Sequence, residues 1–268
     1  MAIKIGLDPG HGGNSSGTYS INTTKDKLYE KDHALELSLL IREHLLRNGF
    51  EVFMTRTTDI NPGTVDKRAK MCVDAGCKYA VSIHFNGFEN ESANGTEVFV
   101  PYAEKGAGIE AGFHEVLGKY FKRRSPFARS NNYYNRNETF DKKLNVSTRK
   151  FEAVSSNSDY FGFIRTSWAN GLSADLLEVC FLTNRNDFDT YIKNKEVIAE
   201  GLAKSIVEGY GKEYVPSVKV SQPMPEEEKA NLIFRVQVGA FNKRANAEAL
   251  LVKLVEDGYT GFIREEKM

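Results

Sequence analysis

The chain has 268 residues, of which 41% are hydrophobic and 11% aromatic, enough for one large α/β domain with a small appendage. Lys and Arg together number 36, as do Asp and Glu, so the formal net charge is zero. That excludes a global electrostatic pull toward nucleic acid, and no apolar run approaches the ~18 residues that membrane insertion requires.

Residues 2–7 predict a strand, ended by Pro9, which has no N–H to give to a ladder. The loop Asp8-Pro9-Gly10-His11-Gly12-Gly13 follows, with glycines free to adopt positive φ. It holds one imidazole, His11, at the carboxyl end of a strand with no bulky neighbours. That suits a metal ligand or a base. Residues 14–28 are polar and read as loop.

Glu30-Lys31-Asp32 opens a helix in which Ala34, Leu37, Ile41 and Leu45 recur at three and four residues. Its acids match the positive end of the helix dipole, and Asn48-Gly49 supplies the stop. Residues 50–55 predict a second strand and 65–75 a second helix. A buried strand follows at 79–83, with His84-Phe85-Asn86-Gly87 beyond its end. Residues 96–100 predict a strand and 108–121 a helix. Residues 122–160 mix Arg and Lys with Asn131, Asn132, Tyr133 and Tyr134, a long excursion with little regular structure. Residues 160–165 and 174–181 read as the last strands, and 188–210 contain the closing helix.

Strand and helix alternate, which implies a mostly parallel twisted sheet with helices on both faces. Ligands of such sheets lie beyond the carboxyl ends of the strands, so His11, His84 and the end of 174–181 share one edge. The organisation expected is a catalytic domain at 1–212, a linker at 213–230 marked by prolines and Glu226-Glu227-Glu228, and a short β-α(-β) segment at 231–268. The three cysteines, Cys72, Cys77 and Cys180, show no CxxC spacing and read as reduced and buried. Met1 runs directly into the first strand with no basic and apolar leader, so the expectation is synthesis in the cytoplasm and action outside only after release.

A catalytic zinc takes three N/O ligands and leaves a position for water, which becomes acidic near neutral pH. It also needs an acid/base group that does not bind metal. His11, Glu30 and His84 are a suitable donor set, and Glu178, in the apolar strand Leu176-Leu177-Glu178-Val179-Cys180-Phe181, fits the second role. On residues alone, Glu30 stands between ligand and dipole partner, His84 between ligand and core residue, and Glu178 between acid/base and structural ion pair. His33, His44 and His114 read as helix packing or solvated faces. Asp8 reads as a support of the loop.

Residues 3–210 resemble the zinc-dependent N-acetylmuramoyl-L-alanine amidases of the Amidase_3 type, found in autolysins and phage endolysins. The resemblance rests on Ile5 through Gly13, on Glu30-Lys31-Asp32 and on Thr55-Arg56. It continues through Ser82-Ile83-His84-Phe85-Asn86 to Leu177-Glu178-Val179-Cys180-Phe181-Leu182-Thr183-Asn184. It implies His11, Glu30 and His84 as ligands of one Zn2+, Glu178 as the catalytic glutamate, and Arg56 and Asn86 as substrate-binding residues. The implied reaction is hydrolysis, by zinc-activated water, of the amide between N-acetylmuramic acid and L-alanine of peptidoglycan. The alternatives are a zinc peptidase of the stem peptide or a non-catalytic wall-binding protein. Cys180 stands where the family has Gly, and the excursion at 122–160 is long, bordering the substrate groove on this reading. Phe234 through Phe241, with Ala247, Leu250, Leu254 and Gly258-Tyr259, resembles the first half of a SPOR domain, which implies peptidoglycan as partner. Half of such a unit is too small to be stable alone, so truncation and weak glycan binding are expected. A phage endolysin and a mother-cell enzyme of sporulation both fit.

Overall fold

The computed structural model describes residues 2–21, 29–101, 108–124, 142–145, 150–153, 161–216, 241, 243–256 and 263. The chain divides into two compact units, Met1–Ser217 and Val218–Met268.

In chain order the first unit holds β1 (Lys4–Pro9), α1 (Glu30–Arg47), β2 (Glu51–Met54), α2 (Val65–Asp74), β3 (Tyr79–Asn86), β4 (Glu97–Phe99) and α3 (Ile109–Leu117). It continues with β5 (Lys142–Asn145), β6 (Lys150–Ala153), α4 (Gly162–Ala169), β7 (Ala174–Phe181) and α5 (Arg185–Gly209). The sheet has the order β2-β1-β3-β7-β4. Its first four strands run parallel, and β4 lies antiparallel on the β7 edge. This is the mostly parallel α/β architecture that the alternating elements imply.

Side-chain alternation along each strand divides the core between two faces. On one, Ile5, Leu7, Ile83, Phe85, Leu177 and Val179 pack with Leu37 and Ile41 of α1, Phe113 of α3 and Leu202 of α5. On the other, Ala80 and Ala174 meet Ala69 and Cys72 of α2 and Phe163 of α4. All three cysteines are free and buried.

Three local expectations need correction. β1 runs on through Pro9, which pairs with Ile83. Proline is tolerated there because β2 ends at Met54, opposite Leu7, and leaves no strand to receive an N–H from position 9. β3 continues to Asn86, so His84 is a strand residue rather than a loop residue, and the register shifts between His84 and Asn86. Of the strand expected at 160–165, residues 161–165 do not form one: α4 begins at Gly162. Phe163, Ile164 and Ser167 are its buried side, a helical stripe that a six-residue apolar window does not reveal. Inside the excursion, β5 and β6 form an antiparallel pair from Lys142↔Ala153 to Asn145↔Lys150. Residues 125–141, 146–149 and 154–160 lie outside the described residues.

Asp8 ties three neighbours to the end of β1. Its carboxylate accepts from Thr55 Oγ1 at 2.5 Å, Ser82 Oγ at 2.7 Å and the Arg68 guanidinium at 3.1 Å. Both ion-pair partners are buried. Asp8→Ala strands the Arg68 cation in the interior, and breaking such a pair costs about 3–5 kcal/mol. The expected result is that loss in urea unfolding, as a lower midpoint at unchanged slope.

His33, on the buried side of α1, packs among Phe85, Phe188 and Tyr191 with ring centroids 5.6–5.9 Å away. Neither ring nitrogen has a hydrogen-bond partner. Burial lowers its pKa, so the folded state holds the neutral ring. The unfolded chain takes up that proton first, near pH 6.5. The contribution to stability is therefore full above about pH 6.5 and declines as pH falls below it. Urea midpoints at pH 7 and pH 5 are expected to differ more for the wild type than for His33→Leu.

The second unit contains α6 (Arg244–Glu256), with Arg244 Nε 2.7 Å from Glu248 Oε1 one turn on. The strands expected at 233–241 and from 260 fall outside the described residues, except Phe241 and Ile263, which carry no regular structure. Among the described residues, no helix is long and apolar enough to cross a membrane.

Candidate metal and catalytic site

Glu30 is the first residue of α1 and is buried. Its N–H donates to the Thr18 carbonyl at 2.8 Å. Its carboxylate accepts two backbone N–H groups in return, from Thr18 at 3.0 Å and Phe85 at 3.1 Å. The helix start is thereby fixed against both the polar loop and β3. The two carboxylate oxygens lie 2.8 Å from His84 Nδ1 and 3.2 Å from His11 Nε2.

His11 is oriented by Ser15, whose Oγ lies 3.0 Å from Nδ1 and leaves Nε2 turned to Glu30. Gly12 and Ser15 exchange backbone hydrogen bonds, which closes the turn that brings Ser15 there. His11 and His84 stand edge to face at 5.0 Å. One donor atom from each of His11, Glu30 and His84 lies within 4.8 Å of the other two. Two imidazoles and a carboxylate match the donor chemistry of a zinc site, and the contacts from Ser15, Thr18 and Phe85 are the orienting contacts such ligands need.

The loop carries strain to achieve this. His11 has φ 59°, the only non-glycine in the left-handed region among the described residues. A Cβ at Gly10 would strike the His84 ring, and one at Gly17 would strike the Glu30 carboxylate and the His11 ring. Gly10 is therefore needed for room rather than for turning. Gly17 is a site glycine that the sequence, where it sits in an undistinguished polar loop, does not mark.

Glu178 lies opposite His84 in the β3–β7 register and opposite Glu97 in the β4–β7 register. Its Oε2 is buried with no hydrogen-bond partner. Such a group is costly to keep, and costs of that kind concentrate at functional sites. Burial pushes the Glu178 carboxyl up to about 8; His84 pulls it down, while Glu30 and Glu97 add to the rise. Burial alone would also favour protonated Glu30, but hydrogen bonds from the two imidazoles hold it well below the usual carboxylate range. For His84, burial opposes the charged ring and the Glu30 contact outweighs it, raising the pKa to about 9.

Arg56, expected to bind substrate, makes contacts to the backbone of its own chain. It is buried, and its guanidinium donates to four backbone carbonyls: Pro9 at 3.0 Å, Gly10 at 2.8 Å, Lys31 at 2.7 Å and Thr58 at 3.2 Å. Arg68 does the same for Pro9, His11 and Gly63. These two arginines clamp the loop that carries His11. Asn86 stands beside Glu97, giving its Nδ2 to Glu97 Oε2 at 3.0 Å. Glu97, Arg68 and Ser15 carry no sequence signal of their own beyond residue type.

The family model described as N-acetylmuramoyl-L-alanine amidase matches residues 5–209, and a SPOR domain model matches residues 220–267. The chain is 23% identical over 268 residues to N-acetylmuramoyl-L-alanine amidase CwlM of Bacillus licheniformis, covering 97% of this chain and 84% of that protein. It is 38% identical over 95 residues to the probable cell wall amidase LytH of Staphylococcus aureus, 35% of this chain and 30% of that one. Among solved structures, the catalytic domain of CwlV, an amidase from Bacillus (Paenibacillus) polymyxa var. colistinus, is similar with a TM-score of 0.56 at 23% identity, over 79% of this chain and 99% of that chain. An N-acetylmuramoyl-L-alanine amidase from Clostridium difficile 630 gives a TM-score of 0.58 at 23% identity, over 78% of this chain and 97% of the other. Both structures share the fold.

Proposed function

This chain belongs to the N-acetylmuramoyl-L-alanine amidase family, hydrolases of a peptidoglycan amide, and we propose that it runs that reaction with one Zn2+ held by His11, Glu30 and His84. Glu178 is the acid/base. The observation that supports this most is local: a buried carboxylate oxygen without a partner, on Glu178, lies one strand across from a cluster of two imidazoles and a carboxylate.

Bound there, zinc supplies Lewis-acid polarisation of the scissile carbonyl and lowers the pKa of water. The chain does the rest. Ser15 holds His11, and the Thr18 and Phe85 N–H groups hold Glu30, whose other contact is to His84. Arg56 and Arg68 keep the His11 loop from relaxing out of its left-handed turn. Glu178 takes the proton of the attacking water on its carboxylate and returns it to the departing nitrogen of L-alanine. Its low-dielectric surroundings favour the protonated form, which makes it a competent base near neutral pH. The SPOR match at residues 220–267 supports a second peptidoglycan contact by the C-terminal segment.

The test is the bond cut. Fragments released from purified peptidoglycan are expected to show a new L-alanine amino terminus by mass spectrometry. Fragments in which every muramyl–L-alanine link is intact would assign the chain to a stem peptidase instead.

A further inference from the structure

The edge strand β4 brings a cation to the same row of side chains as Glu178. Glu97 lies directly across from Glu178, and Arg124 Nε stands 3.3 Å from Glu97 Oε2. The guanidinium has two further anchors. NH1 donates to the Asn94 carbonyl at 3.3 Å, and the guanidinium carbon sits 4.9 Å over the Phe181 ring. The backbone holds the base of the side chain, since Arg124 N donates to the Thr96 carbonyl at 3.2 Å. Glu97 is fixed from the other side by Asn86.

The same protein shows what a structural arginine looks like. Arg56 and Arg68 are 2% and 4% exposed, with their donors given to backbone carbonyls and buried acceptors. Arg124 is different: its side chain is 39% exposed, and its NH2 donors meet no partner among the described residues. It is held at three points, with one edge of the fork open among the described residues. Ordering costs have been met in advance, which is the arrangement that favours ligand capture. A guanidinium fork takes a carboxylate through paired N–H donors.

We propose that Arg124 is a specificity residue on the peptide side of the groove, where its open edge binds a free carboxylate of the stem peptide, with Glu97 as the positioning residue that aims it. This rests on the amidase reading. One rim cation there sets the register of the stem relative to Glu178.

The experiment compares two soluble muropeptides that differ only in whether the stem carboxylates are free or amidated, using the zinc-loaded full chain. The wild type is expected to favour the free carboxylate by roughly 10–100-fold in kcat/KM, chiefly through KM. Arg124→Gln removes that preference by raising KM for the free form, and leaves kcat/KM for the amidated form within about twofold. Arg124→Lys, which keeps the charge and loses the fork, recovers part of it. Glu97→Gln raises KM for the free form in the same direction. A wild type that treats the two alike, or favours the amidated form, overturns the proposal even if no variant folds. Equal slowing of both substrates by Arg124→Gln also overturns it and returns Arg124 to a structural role. New L-alanine amino termini from either substrate keep the amidase reading standing whichever way the preference falls.

Discussion

Glu178→Gln is expected to lower kcat on a soluble muropeptide by roughly 10²–10⁴-fold, the range lost when a positioned acid/base is removed. Zinc content is expected to stay at the wild-type level, because Glu178 is not part of the His11, Glu30 and His84 donor cluster. Thermal stability is expected to hold or rise. The wild-type carboxylate is buried with an oxygen that has no partner, and the neutral amide removes the ionised form of that group from the interior. The combination is diagnostic. A misfolded variant loses metal and stability together with activity, whereas a missing proton carrier loses activity alone. Retention of activity within about tenfold would place the proton transfer on another group.

Glu30→Gln is expected to weaken zinc binding by at least about 100-fold and to abolish hydrolysis with it; outer contacts of metal ligands alone are worth 10–100-fold. The carboxylate does two things that glutamine cannot do together. It gives one oxygen to each imidazole, at 2.8 and 3.2 Å, and it accepts N–H groups from Thr18 and Phe85 with the same two atoms. An amide has only one acceptor oxygen, so one of those backbone donors or one imidazole loses its partner. Equilibrium dialysis against zinc reads the affinity. An unchanged affinity would remove Glu30 from the ligand set.

The core of this arrangement was accessible from sequence because three short patterns mark three different kinds of chain end. A glycine loop after a strand holds His11, an acid at a helix start is Glu30, and a polar cluster at the end of a buried strand holds His84. Parallel α/β topology then places such ends on one edge, and the structure brings those side chains together. What escaped depends on register and on buried charge. Glu97 meets Glu178 only because β4 adds antiparallel to β7, a pairing that three residues of strand do not announce. The loop-clamping contacts of Arg56 and Arg68 escaped because hydropathy patterns carry no information about carbonyls converging on a guanidinium. The apolar stretch at 160–165 is too short for its period to separate helix from strand, and the packing of Phe163 and Ile164 decides it.

Strain at His11 fits the same account. A left-handed histidine is retained because two arginines hold the carbonyls of Pro9, Gly10 and His11, and the ring is delivered to Glu30 as a consequence. The buried Arg56 and Arg68 cations thus serve the loop.

The most direct measurement is a titration of metal-free wild-type protein with Zn2+, following hydrolysis of a defined muropeptide. Activity that is absent without metal, rises linearly and saturates at one equivalent is the predicted result. Full hydrolysis by the metal-free protein, or saturation only at two equivalents, would contradict a single zinc on His11, Glu30 and His84.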